Sequence, residues 1–183
     1  MNMIKGTGWI TQNKYGCKKM RLAHKYSDLK SLYGQLQPEI IKYPVANFLR
    51  FDTVSKLAVL SIALALHDAK INYCPGKKQD ISILGTNSIG TLDANLAYFN
   101  DYITNGRTLS RGNLFIYTLP SSPLAEATIH FGLTGKLLYL GFAKNIEKES
   151  LKYALNMLKS ESIKTVLLVN ANSKKASCLV LQK

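Results

Sequence analysis

Hydrophobic and polar positions along the chain fall into short blocks of changing period. Residues 3–11 read as a strand, with Gly6 and Gly8 permitting a bend or close packing. Residues 12–50 hold no sustained period, and Pro38 and Pro44 break any long element, so this stretch is predicted to be irregular. Residues 52–70 read as a helix, with Asp52 as N-cap or first-turn acid and Lys70 suited to the last turn. Its middle, Leu57-Ala-Val-Leu-Ser-Ile-Ala-Leu-Ala-Leu66, is apolar nearly all round, which predicts burial on several sides.

Pro75-Gly76 marks a turn, and residues 80–85 read as a short buried strand. Helices are predicted over 91–104, with Gly106 as C-cap, and over 121–131, ended near Gly132. A strand is expected over 136–142. Residues 146–159 form an amphipathic helix, with Leu151, Ala154, Leu155 and Leu158 on one face and Glu147, Lys148, Lys152 and Lys159 on the other. Residues 165–170 read as a buried strand, paired with 176–181 through a turn at Asn172-Ser-Lys-Lys. Strands alternating with helices predict an α/β layered fold, and no linker or repeat divides residues 1–183, so one domain is expected.

Charge sharpens this picture. Twenty-four Lys and Arg against eleven Asp and Glu leave a net charge of +13. That balance points to nucleic acid, an anionic surface or an acidic protein as partner, or to a Lys-rich solvated surface. Before residue 28 the chain carries Lys5, Lys14, Lys18, Lys19, Arg21 and Lys25 and no acid. The longest apolar run has about half the ~20 residues needed to span a bilayer, so no membrane span is expected. The start of the chain lacks a signal-peptide core, and a cytoplasmic location with reduced thiols is the expectation. Cys17, Cys74 and Cys178 are odd in number and widely spaced, which predicts no metal site and no cofactor and reads each as a small buried hydrophobe.

Few local motifs carry chemistry. Gly85-Thr-Asn-Ser-Ile-Gly90-Thr91 sits between a strand and a helix, as phosphate loops do. The Walker pattern requires Lys-Ser/Thr after the second glycine; Thr91-Leu92 stands there, so the segment reads as a tight turn. His24, His67 and His130 share no metal-ligand spacing and are read as structural, and no G-x-S-x-G elbow occurs. Tyr15 and Tyr26 interleave with the N-terminal lysines, a pattern compatible with single-stranded nucleic acid, but no RNP-like run accompanies them.

Four segments in order resemble the N-terminal half of the β-ketoacyl synthases, the condensing enzymes of fatty-acid and polyketide synthesis. Ile4-Lys-Gly-Thr-Gly-Trp-Ile-Thr-Gln12 resembles that family's first strand. Arg50-Phe-Asp-Thr-Val-Ser-Lys-Leu-Ala58 resembles its R-[FM]-D-x-x-S-x-L-A helix start. Ile83-Leu-Gly-Thr-Asn-Ser-Ile-Gly-Thr-Leu92 resembles its V-G-T-G-I-G-G-L turn. Leu119-Pro-Ser-Ser-Pro-Leu-Ala-Glu-Ala-Thr-Ile-His-Phe-Gly-Leu-Thr-Gly135 resembles, without a gap, its P-N-x-A-A-G-x-I-S-I-x-x-G-L-x-G segment.

The resemblance implies half of a thiolase-like fold: a layered mixed sheet with helices packed on it. It also sets Lys144 where the family carries its nucleophilic cysteine, and none of the three histidines matches the family's active-site pair. A lysine offers no sulfur, and a cation at a helix N-terminus is poorly placed. No catalytic residue is therefore carried over. The expected function is a catalytically inactive accessory subunit of chain-length-factor type in fatty-acid, aryl-polyene or polyketide synthesis. Its expected partners are an acyl carrier protein, a ketosynthase subunit or a second copy. Lys14, Lys18, Lys19 and Arg21 are the candidate contacts to the acidic carrier, and Ser121, Ser122 and Pro123 the candidate wall of an acyl pocket. The strand over 136–142 is the candidate pairing edge. Two alternatives stay open: an acyl-transfer enzyme completed by a partner, and a basic nucleic-acid-binding module.

Overall fold

The computed structural model describes residues 3–20, 22–106 and 111–183. Seven strands among them build one mixed sheet: β1 (Ile4–Ile10), β2 (Lys14–Gly16), β3 (His24–Lys25), β4 (Ser82–Thr86), β5 (Leu137–Tyr139), β6 (Thr165–Ala171) and β7 (Ala176–Gln182). The spatial order is β3-β2-β1-β7-β6-β4-β5. β5, β4 and β6 run parallel, and β7 pairs antiparallel with both β6 and β1.

Side chains alternate across the central strands. Leu167, Val169, Cys178 and Val180 face one apolar cluster; Val166, Leu168 and Leu181 face the other. Helices α1 (Leu29–Leu36), α2 (Thr53–Asp68) and α5 (Ser122–Phe131) contribute to the first cluster, and α6 (Ile146–Lys159) to the second. Two further helices, α3 (Leu92–Asn105) and α4 (Gly112–Ile116), follow β4.

The helix with apolar residues all round is α2. Asp52 caps it, its carboxylate accepting from Ser55 N at 2.8 Å. Residues 57–66 are all buried. The cover comes from this chain: β1, β6 and β7 lie on one side and α5 on another. Contact with β1 is close because β1 carries glycines. A Cβ on Gly6 would lie 2.5 Å from Ala65 O and 2.6 Å from Ala69 N; one on Gly8 would lie 2.6 Å from Ala65 N and collide with Ser61 O. Asp68, the last residue of α2, locks the same contact by accepting from Thr7 N at 2.8 Å and Lys19 N at 2.5 Å.

Residues 12–50 depart from expectation. They hold β2, β3, α1 and a 3-10 turn at Phe48–Arg50. Asp28 caps α1 through Ser31 N at 2.9 Å, and Leu32 and Leu36 are fully buried against the α2 side of the core. Tertiary burial sustains an eight-residue helix that local pattern leaves marginal. Cys74 also departs: it is exposed, while Cys17 and Cys178 are buried. The strand expected over 136–142 shortens to the three residues of β5, at the sheet edge.

Gly8→Val should lower unfolding stability by about 1–3 kcal/mol or more, because backbone of α2 must give way. Gly34→Ala, inside α1 with nothing within 4 Å of the new methyl, should raise it by about 0.5–1 kcal/mol. Denaturant unfolding of both variants separates close packing from helix propensity.

Candidate functional site

Open α/β sheets gather ligands at the carboxyl ends of their parallel strands. Here β4 ends in the Gly85–Gly90 turn. Asn87 organises it: Oδ1 accepts from Ile89 N at 3.0 Å and Gly90 N at 2.5 Å. Its Nδ2 donates to Gly90 O and to Ala171 O at the end of β6, both at 2.9 Å. Asn87 thus closes this segment as a tight turn. Gly90 supplies the positive φ of 60° that the turn requires.

Beside the turn lies a crevice of about 30 Å³, lined by Asp52, Thr86, Tyr117, Pro123, Leu124 and Tyr139 among others. Leu124 fills the space over Gly85 and closes it. A water needs about 10–15 Å³ in this measure, so the crevice has room for about two waters. Two hydroxyls, Thr86 Oγ1 and Tyr139 Oη, are buried there without a partner. Tyr117 donates to Glu126 Oε1 at 3.3 Å; burial, with the nearby Glu126 and Asp52 carboxylates, pushes its phenol up to about 12. Of the three residues expected to wall an acyl pocket, Pro123 lines the crevice. Ser122 is buried, its hydroxyl donating to Ile116 O, and Ser121 is half-buried at the start of α5.

A second depression, an open cleft of about 530 Å³, lies at the start of α6. Its lining includes Ser88, Lys144, Lys148, Asn170 and Lys175, with Glu147 its one carboxylate and neither cysteine nor histidine. Lys144 is exposed. Asn145 follows in the left-handed region at φ 51° and makes no side-chain cap to the helix.

The N-terminal basic residues lie elsewhere. Lys14 is exposed on β2, with Lys25 opposite it on β3. Lys18 and Lys19 are exposed after β2, their amides held by Thr7 Oγ1 and Asp68. Arg21 lies outside the described residues. Tyr15 is buried and donates to Gln35 Oε1 at 3.1 Å, and Tyr26 donates to Thr11 O, so neither hydroxyl is idle. Among the described residues the sole ion pair is Arg111–Asp101, and no cluster of three metal-ligating side chains occurs. Nor is any helix among them long and apolar enough to cross a membrane.

Sequence reasoning singled out Lys144, Ser121, Ser122 and Pro123 and the turn that holds Thr86 and Asn87, but gave those two side chains no role and passed over Tyr139. The one signal available was an Asn two residues after a glycine where a strand turns into a helix.

No family model matches the sequence, and no curated protein matches it. Solved structures do resemble the fold. A ketosynthase (ApeO) in complex with its chain length factor (ApeC) from Xenorhabdus doucetiae superposes with a TM-score of 0.66 at 14% identity, covering 97% of this chain and 76% of that one. The ishigamide ketosynthase/chain length factor gives 0.70 at 10% identity, covering 99% of this chain. A type II polyketide ketosynthase complexed with its acyl-carrier protein (AntDE:AntF) gives 0.65 at 10% identity, again covering 99% of this chain. The chain spans 62% of the length of each of these last two. The fold is that of one half of a thiolase-like ketosynthase, as the four sequence segments imply. Their glycines have structural work: Gly132 ends α5 at φ 66°, and a Cβ on Gly135 would lie 2.6 Å from the Ile81–Ser82 backbone.

Burial holds the His130 imidazole below the usual ~6.5, with Nε2 unpartnered, and lowers His67 likewise. Below pH ~6.5 the unfolded chain therefore binds more protons than the folded one, and stability falls as pH drops. Unfolding measured from pH 7.5 to 5 should show this decline, and His130→Phe should make it shallower.

Proposed function

We propose that this chain is a catalytically inert, ketosynthase-like accessory subunit of chain-length-factor type. It serves fatty-acid, aryl-polyene or related polyketide synthesis, pairs with a ketosynthase-type subunit and engages an acidic acyl carrier protein. The observation that carries the reading is the start of α6. Lys144, which the resemblance sets at the nucleophile's place, is an exposed amine in a cleft without thiol or imidazole. Cys17 and Cys178 are buried, and burial pushes both thiols up, away from the thiolate that acyl transfer uses. Likeness to ketosynthase/chain length factor complexes supports the subunit role.

Unpaired lysines support the carrier reading. Lys14, Lys18 and Lys19 lie exposed along one margin of the sheet with no carboxylate within ion-pair distance. Arg21 follows them in sequence. Such a surface attracts an acidic partner and loses that attraction as salt rises.

The test has two parts. The chain, alone and with ketosynthase added, is assayed for acyl transfer from an acyl-carrier thioester. We expect no turnover by the chain itself and no effect of Lys144→Ala on the pair; turnover that vanishes in Lys144→Ala overturns the inert reading. Titration with carrier protein at low ionic strength should show binding that weakens about 10-fold or more in the triple variant Lys14→Glu, Lys18→Glu, Lys19→Glu. Carrier binding insensitive to both salt and those substitutions removes this surface from the proposal.

A further inference from the structure

A separate cavity opens at the other end of α2. Asp52 caps the helix beside the β4 crevice, and His67 lies about 22 Å further along the axis at ~1.5 Å per residue. The cavity there measures about 280 Å³ and is walled by three stretches of chain: Lys19 after β2, residues 39–42 after α1, and residues 63–73 from the last turns of α2 onward. It shares no lining residue with the crevice or with the cleft at the start of α6.

Its charge is one-sided. Lys19, Lys42 and Lys70 bring three ammonium groups, and Glu39 brings the one carboxylate. None of the four has a counter-charge within ion-pair distance among the described residues. Lys42 Nζ is steadied by donating to Asn72 Oδ1 at 2.8 Å, which leaves it two further N–H donors. The other acceptors nearby are engaged. The Asp68 carboxylate accepts from Thr7 on β1 and from Lys19 N. The carbonyls of Ala65, Leu66 and His67 accept from the amides of Ala69, Ile71 and Lys70 at 2.9–3.1 Å.

Beneath the charges the lining is apolar, with Ile40 and Leu66 buried and Ile71 half-buried. Tyr73 is only 6% exposed, and its hydroxyl lies toward the Lys42 and Tyr43 backbone with no partner at hydrogen-bonding distance. His67 is half-buried. Burial first, then the Lys19 and Lys42 charges, holds its imidazole below the usual ~6.5, against the opposing pull of the Glu39 and Asp68 carboxylates.

We infer that this cavity at the end of α2 is a binding site for the phosphate group of a small molecule, held by Lys19, Lys42 and Lys70 with His67 beside it. A dianion relieves the mutual repulsion of the three lysines, and their N–H groups give it charge-assisted hydrogen bonds. At 10–15 Å³ per water the cavity has room for about twenty waters, enough for a phosphate and a short organic substituent over Ile40, Leu66 and Ile71. The inference concerns this chain alone and does not rest on the accessory-subunit reading.

Calorimetric titration of the full chain with inorganic phosphate and with phenyl phosphate, in a phosphate-free buffer at low ionic strength, tests it. Binding with a Kd below ~1 mM is expected, and Lys42→Gln with Lys70→Gln should weaken it about 10-fold or more. Both side chains are exposed, so the double variant should melt at the parent's temperature. Tighter binding of phenyl phosphate makes the occupant a phosphate monoester, equal affinity makes it free phosphate, and either supports the site. The unaltered chain supplies a second readout. The His67 ring resonances, assigned by their loss in His67→Gln, should titrate at higher pH when phosphate is bound at constant ionic strength, because the anion offsets Lys19 and Lys42. No binding of either probe, binding indifferent to the two substitutions, or a His67 titration that phosphate leaves unmoved overturns the inference. Lys19 is intact in these variants, and Lys14 and Lys18 lie outside the cavity lining, so carrier binding and phosphate binding can fail separately.

Discussion

The approach of α2 to β1 sets the rest of the molecule in place. Gly6 and Gly8 offer bare backbone, and Ser61, Ala65 and Ala69 on α2, spaced four apart, form the ridge that enters it. With this helix seated low on the sheet, α5 and the buried residues of the 29–51 segment, Leu32, Leu36, Ile41 and Phe48 among them, complete its cover. A helix apolar all round therefore needs no second chain to shield it. The same seating fixes the carboxyl end of the sheet, because Asp52 both caps α2 and lines the crevice beside β4. Stability and site geometry hang on one helix–strand contact.

Legibility from sequence followed the range of the deciding interactions. The helices at α2 and α6 and the β6–β7 hairpin carry their own signals: an Asp cap, a two-sided charge pattern, and an Asn whose Oδ1 accepts from Lys174 N and Lys175 N. The segment over residues 12–50 does not, because β2 and β3 have three and two residues, and α1 holds a glycine at its middle and is sustained by burial. At the site, the Gly85–Gly90 turn was visible in place but not in its wiring. Asn87 closes it through Ala171, 84 residues away, and no local pattern announces such a bond. The α3 helix itself was legible, but only the fold shows that Leu92, Leu96, Phe99 and Ile103 on it meet solvent.

Two faces of the molecule ask for different cover. The ketosynthase resemblance puts the counterpart of α6 at the centre of a layered pair of halves, with protein on both sides. Here one side of α6 packs Ala154, Met157 and Leu158 on the sheet, while Lys148, Lys152 and Lys159 are exposed on the other. None of these lysines has a carboxylate within ion-pair distance. An apolar surface laid over them would strand buried, unpaired ammonium groups, at a cost of several kcal/mol each in practice. Any partner covering α6 must therefore bring carboxylates, and the lysines of the adjoining cleft, Lys144 and Lys175, add to that demand. Helix α3 sets the opposite condition: it carries no lysine, and its exposed apolar side chains gain from apolar contact. One acidic partner and one apolar partner can thus be held at once, each excluded from the other's surface by desolvation.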